Sequence, residues 1–302
     1  MPINRASARD LLLPGLADIE GKYPQLPTRY KEWASTSTSK MAMERIDEMR
    51  YTGLAQLKGE GAATTFDNAS GQRFTYVANM INVGLGFAIT REMLDDNLYK
   101  EQFGPSSMGL AESFAQFKEV YVHTLLNNAT TYNSEIVADG VALASTAHPI
   151  DNGTYANTFS TQLDFNEAAV ESALNTIRLW PDQAGLLAMV RARKVVVPVA
   201  LSWAAERLFK TELRTNTNNN DVSAIITSGA MPEGYVVSEF LTSSFAWFVM
   251  TNVRGLRVFD RIPYEMDLQV DPTTGNLLVV GYERYGITYS NPRSVFVSTP
   301  TS

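Results

Sequence analysis

The stretch GPSSMGLAESFAQFKEVYVHTLLNNAT, Gly104–Thr130, places Leu110, Phe114, Phe117, Tyr121 and Leu125 at steps of 4, 3, 4 and 4. That spacing draws one apolar stripe along a helix. Ser106 or Ser107 can cap its first amides, and Asn127-Asn128 ends the pattern. About 22 residues rising about 1.5 Å each predict a rod of roughly 33 Å. Glu112, Gln116, Lys118 and Glu119 fall on the faces beside the stripe.

A long hairpin is expected just before this helix. In RFTYVANMINV, Arg73–Val83, the residues Phe74, Tyr76, Ala78 and Met80 alternate with Thr75, Val77, Asn79 and Ile81. Tyr51–Lys58 reads as the partner strand, with the Gly- and Asn-rich loop Gly59–Gly71 and its lone Phe66 between them. A two-stranded hairpin is marginal alone in water, so a second subunit is expected to cover it. A short strand, FAIT, then leads into a helix beginning near Thr90.

The end of the chain offers a second ribbon. Leu256–Val270 and Leu277–Ser290 are extended runs joined by Asp271-Pro272-Thr273-Thr274-Gly275-Asn276, a turn by residue chemistry. Between helix and ribbon lies a mixed α/β region. A loop over residues 131–163 precedes a helix from Asn166, its cap, to Trp180. Lys194–Val199 reads as a buried strand, Leu201–Leu213 as the helix upon it, and Thr215–Asp221 as an exposed loop. Strands starting at Gly234 and Ala246 complete a central sheet. Residues 1–47 read as an arm, with a short helix over Ser7–Glu20 and a Ser/Thr tract, Ala34–Lys40, that no core would hold.

Composition narrows the function. The 302 residues are 45% hydrophobic and 19% charged, as in a folded chain with one large domain or two lobes. A net charge of −7 does not ask for nucleic acid or an anionic membrane, and the absence of cysteine removes disulfides and thiolate nucleophiles. The short apolar run before Pro14 is expected to be no signal peptide. Ser145 and His148 sit three apart, but no G-x-S-x-G elbow accompanies them, and His123 reads as helix surface or packing. Asp95-Asp96 and Glu265/Asp267 read as surface carboxylates. Gly104-x4-Gly109 lacks the Lys-Ser/Thr of a phosphate loop, and Gly84-Leu85-Gly86 lacks a third glycine. Catalytic, cofactor and metal sites are therefore expected to be absent.

Several strings now point one way: GLGFAITREMLDD (Gly84–Asp96), STAHP (Ser145–Pro149) with GTYANT behind it, VVVPVALSWAAERLFKTEL, AWFVMTNVRGLRVFDR and GNLLVVGYERYGITYSNPRSVF. In that order they resemble the major head subunit of Mu-like tailed phages and prophages, over about residues 45 to 297. The resemblance implies an α+β chain with the Hong Kong 97-type capsid fold. Its parts would be an N-terminal arm (1–47), an E-loop hairpin (48–90), a P-domain (91–135 and 255–292) and an A-domain (136–254 and 293–302). It implies pentamers and hexamers closing an icosahedral virion around double-stranded DNA, with portal, scaffolding and decoration proteins as further partners. Tyr51, Lys58, Phe66, Phe74, Tyr76, Asn218 and Asn219 are the candidate subunit-interface residues. The competing reading is an α/β enzyme with a site in residues 185–254. The basic cluster Arg191-Ala192-Arg193-Lys194 is read as strand-edge surface or subunit contact, leaving packaged DNA enclosed but not gripped.

Overall fold

A computed structural model describes residues 22–23, 26, 28–67, 71–96, 100–136, 139–211 and 223–301. The helix expected over Ser7–Glu20, the loop Thr215–Asp221 and the interface candidates Asn218 and Asn219 lie outside them.

Five strands, β1 (Ser35–Thr38), β2 (Met43–Arg50), β3 (Gly71–Ile89), β9 (Leu256–Val270) and β10 (Leu277–Tyr289), form one sheet in the order β1-β9-β10-β3-β2. The terminal ribbon forms as its turn chemistry predicts. Asp271 accepts hydrogen bonds from the Thr273 amide at 2.8 Å and from the Thr273 and Thr274 hydroxyls. Gly275 supplies the positive φ of 75° that closes the turn. The hairpin differs from expectation in three ways. Its first strand is Met43–Arg50, pairing with Gly71–Asn79, while Tyr51–Lys58 belongs to the exposed connection. The run FAIT is no separate strand but part of the far end of β3, whose residues Met80–Ile89 pair with β10. The hairpin is therefore one extension of the ribbon's own sheet. Gly286 of β10, opposite Met80, marks that join, for a side chain there would lie 2.8 Å from the Asn79 carbonyl oxygen.

The Ser/Thr tract also departs from its reading as an arm. Ser35–Thr38 adds a parallel edge strand to β9, and Tyr30 and Ala34 before it are buried in the core. A strand edge recruits a partner through backbone hydrogen bonds, which Ser and Thr supply as well as apolar residues do.

Short helix α1 (Arg91–Asp95) precedes α2 (Lys100–Asn127), which has 28 residues and so spans about 42 Å. It starts before Ser106 and Ser107, which therefore lie inside the helix together with Pro105. Leu110, Phe114 and Leu125 are buried and Tyr121 is half-buried, but Phe117 is 46% exposed. At 3.6 residues per turn the stripe passes from Phe114 to position 118 and then to Val122. Lys118 thus occupies a core position. Its Nζ donates to Asp260 at 2.8 Å and Glu283 at 2.6 Å, and sits 4.7 Å from the centre of the Tyr285 ring. Phe117 instead stacks on Tyr121 outside that core.

The second face of α2 meets the second sheet, with order β11-β8-β6-β7: β6 (Ala192–Pro198), β7 (Tyr235–Ser238), β8 (Trp247–Thr251) and β11 (Val295–Ser298). Val196, Phe248, Val295 and Val297 pack with Val122 and Leu126 of the helix. The alternate residues Val195, Val197, Trp247 and Phe296 pack with α3 (Glu167–Arg178) and Ala205 of α4 (Ser202–Lys210). Asn166 caps α3 as predicted, accepting from the Ala169 amide at 2.9 Å. Short α5 (Ala224–Thr227) and the two-stranded pair β4 (His148–Ile150) and β5 (Gly153–Tyr155) complete the chain.

His123 is wholly enclosed on this second face. Its Nδ1 lies 2.7 Å from the Glu119 carbonyl and its Nε2 lies 2.8 Å from the Ser238 hydroxyl. Burial disfavours the imidazolium and holds its pKa below the ordinary value, so the native state favours neutral His123. The unfolded chain then binds the extra proton, and the stability is present above about pH 6.5 and lost as pH falls below it. Urea midpoints of His123→Gln should therefore fall less steeply than wild type between about pH 6.5 and 5. Parallel slopes would refute this role.

Candidate assembly surfaces

The hairpin is anchored at its root and bare at its tip. Arg50 of β2 and Arg73 of β3 both contact the Asp151 carboxylate, which lies in the β4–β5 turn. Two residues back from Arg50, Glu48 accepts from Gln183 Nε2 at 2.6 Å and from Arg293 Nη1 at 3.3 Å. Arg293 itself lies 4.1 Å over the Tyr155 ring and donates from Nε to the Pro181 carbonyl at 2.7 Å. Residues far apart in sequence thus fix the direction in which the hairpin leaves the body.

Beyond this root, residues 51–67 carry almost no buried side chain. Phe66 is 85% exposed, and Tyr51, Leu54 and Leu57 are likewise exposed. Lys58 shares this surface. The segment holds itself by few contacts, among them the Gly53 amide donating to Asp67 at 2.6 Å. Of the other interface candidates, Phe74 is half-buried under Arg73. Tyr76 is a correction: its ring is fully buried inside this subunit, 5.8 Å from that of Tyr289, with its hydroxyl toward Glu48. It faces the core because it stands on the inner side of β3. Sequence reasoning missed Leu54 and Leu57, whose spacing within a Gly-flanked segment follows no period.

The residues weighed for chemistry are placed otherwise. His148 is buried, with Nδ1 3.0 Å from Asp139 and Nε2 near the Leu143 carbonyl and Asn157. Ser145 accepts from the Ala147 amide and makes no hydrogen bond to the imidazole. Asn157 spans the same knot, donating to three backbone carbonyls. This is a satisfied structural network. In the basic cluster, Arg193 and Lys194 both pair with Glu233, and Lys194 also donates to the Glu32 carbonyl. They stand on β6, inside the sheet between β8 and β7, not on an edge strand. Among the described residues no three His, Cys, Asp or Glu side chains are grouped to hold a metal ion. None of the described helices is long and apolar enough to cross a membrane.

The sequence profile described as phage capsid protein matches residues 75–298, from the core of β3 to the end of β11. The chain belongs to this phage capsid family. Its fold is the Hong Kong 97-type fold of tailed-phage capsids. The procapsid of bacteriophage JBD30 aligns at 12% identity and a TM-score of 0.55, covering 99% of this chain and 77% of that one. The capsid of a native GTA particle aligns at 11% identity and a TM-score of 0.59, with 88% of each chain covered. The capsid of Myoviridae phage XM1 gives 11% and 0.57, covering 90% of this chain and 91% of that chain. No curated protein sequence matches the chain. Membership of the capsid family makes this a structural protein of the virion, and the reading of residues 185–254 as an enzyme site is not supported.

Proposed function

We propose that this chain is the major head subunit of a Mu-like tailed phage or prophage, forming pentamers and hexamers that close an icosahedral shell around double-stranded DNA. The observation that carries the assembly reading is the tip at residues 51–67. A lone subunit leaves Tyr51, Leu54, Leu57 and Phe66 in water, and exposed apolar surface of this kind serves contact with a partner. The ordered sequence strings carry the Mu-like assignment. The hairpin acts as the E-loop, α2 with β9 and β10 as the P-domain, and the β11-β8-β6-β7 sheet as the A-domain. The pairing of Met43–Arg50 favours moving the arm boundary back from residue 47 to about 42.

Further partners follow the same reading. A capsid of JBD30 decorated with minor capsid protein trimers aligns with this chain, which supports a decoration protein here as well. Portal and scaffolding proteins complete assembly, which takes place in the host cytoplasm. The wall encloses DNA without gripping it. The net charge of −7 and the pairing of Arg193 and Lys194 with Glu233 support this, because holding a DNA backbone takes many unpaired cations spread along an open surface.

Size-exclusion chromatography with negative-stain microscopy tests the proposal, with shells or capsomers expected and a discrete small oligomer opposed to it. Replacing residues 52–66 by a two-residue turn should leave a folded, soluble subunit, because those side chains add little to any core. Closed shells should become rare. Shells of normal yield and shape from this variant would exclude the tip as an assembly contact.

A further inference from the structure

A cavity of about 450 Å³ opens at the hairpin root, between β2, the Asp182-Gln183 turn, the entry to β9 and the turn at Arg293. Arg254, Arg257 and Arg293 all line it. Arg293 is 97% removed from solvent, since its relative exposure is 3%, yet its Nη2 has no hydrogen-bond partner among the described residues. The same holds for the buried Nε of Arg257. Arg254 has neither an ion pair nor a hydrogen bond to any described residue.

The carboxylates around the cavity are already engaged. Asp47 accepts from Gln72 and Thr75. Glu48 accepts from Gln183 and Arg293, and Asp182 accepts from the amides of Ala184 and Leu186 in its own turn. Each of these carboxylates is thus already held elsewhere, and the neutral acceptor Gln183 Oε1 is itself buried without a donor, yet no described acceptor reaches Arg293 Nη2 or Arg257 Nε. A buried donor left without an acceptor is costly, and each such group in a native fold calls for an explanation.

We propose that this cavity binds a phosphate-type oxyanion through Arg254, Arg257 and Arg293. Planar guanidinium groups match phosphate oxygens two at a time. Three of them, from the loop before β9, from β9 itself and from the turn after β10, offer more donors than the two oxygens of a carboxylate can accept. An oxyanion with three or more acceptor oxygens uses them all. The anion would tie β2 of the hairpin to the ribbon and to the second sheet. This site rests on the geometry of the single chain and stands whether or not the assembly reading holds.

The test titrates inorganic phosphate into the purified full-length subunit at constant ionic strength, replacing chloride, and reads binding by calorimetry and by the rise in Tm. Binding should saturate, with a Kd of about 1 mM, and Arg254→Gln and Arg257→Gln should each weaken it about tenfold. Exchange of the β2 amides should slow in step with occupancy. Arg254 has no partner in the fold, so its variant reports on binding even if Arg257→Gln unfolds. A Tm no different from chloride, unchanged affinity in Arg254→Gln, or acetate binding as tightly as phosphate would each overturn the assignment.

Discussion

Replacing Phe114 by alanine should cost the subunit about 3–5 kcal/mol, the range for removing a large aromatic ring from a packed core. The ring is 2% exposed and lies between α2 and the sheet, its centre 4.9 Å from that of Tyr264. It also rests on Gly281 of β10, where a Cβ would lie 2.8 Å from Phe114 Cε2. That close approach accounts for glycine in the middle of a long strand, and Gly281→Ala should overpack the same spot at about 1–3 kcal/mol. Phe117, one turn along the helix, is the contrast. Its ring is nearly half in water, so Phe117→Ala should cost about 1 kcal/mol, mostly its stacking on Tyr121. Gln116→Ala should stay within about 0.5 kcal/mol. Urea unfolding of dissociated subunits measures all four, and equal losses for Phe114 and Phe117 would mean that the helix packs by another face.

That contrast shows what a sequence can and cannot disclose. The ribbon was legible to within a residue at its ends, because strand alternation and the Asp271–Asn276 turn are local signals. Helix α3 was equally plain from its Asn166 cap. Strand β2 was hidden, because its inward residues are Glu44, Ile46, Glu48 and Arg50 and give no apolar alternation. Their charges are met by Ser39, Arg293 and Asp151, of which Arg293 is 245 residues from Glu48. No local pattern announces such partners. Strand β1 was hidden for a related reason: Ser and Thr there pair through the backbone with β9, some 220 residues away in sequence. Of the assembly surface, Phe66 was marked by its Gly- and Asn-rich loop, and Tyr51 by the expectation that a bare hairpin needs a second subunit to cover it. Leu54 and Leu57 needed the structure, since a leucine in a loop carries no sign of whether it is covered.

Lys118 is the hardest residue to foresee and the other large expected effect. It stands in the apolar stripe of α2, where periodicity alone asks for a residue like Phe114. The Lys118 side chain is 7% exposed, and that of its partner Glu283 only 1%. Burial opposes the ammonium, yet Glu283 and Asp260 more than offset this and hold the amine's pKa above its ordinary value. Glu283 in turn accepts from the Tyr23 hydroxyl at 3.0 Å, so Tyr23 closes over the group. Lys118→Met should therefore cost about 3–5 kcal/mol, less because an attraction is lost than because Glu283 is left buried and uncompensated. The distinguishing measurement is the double variant Lys118→Met with Glu283→Gln. Removing both charges together should recover a large part of the loss, giving a coupling of about 1–3 kcal/mol in the double-mutant cycle. Losses that simply add would show that Lys118 acts by its packing alone, and that Glu283 finds its solvation elsewhere.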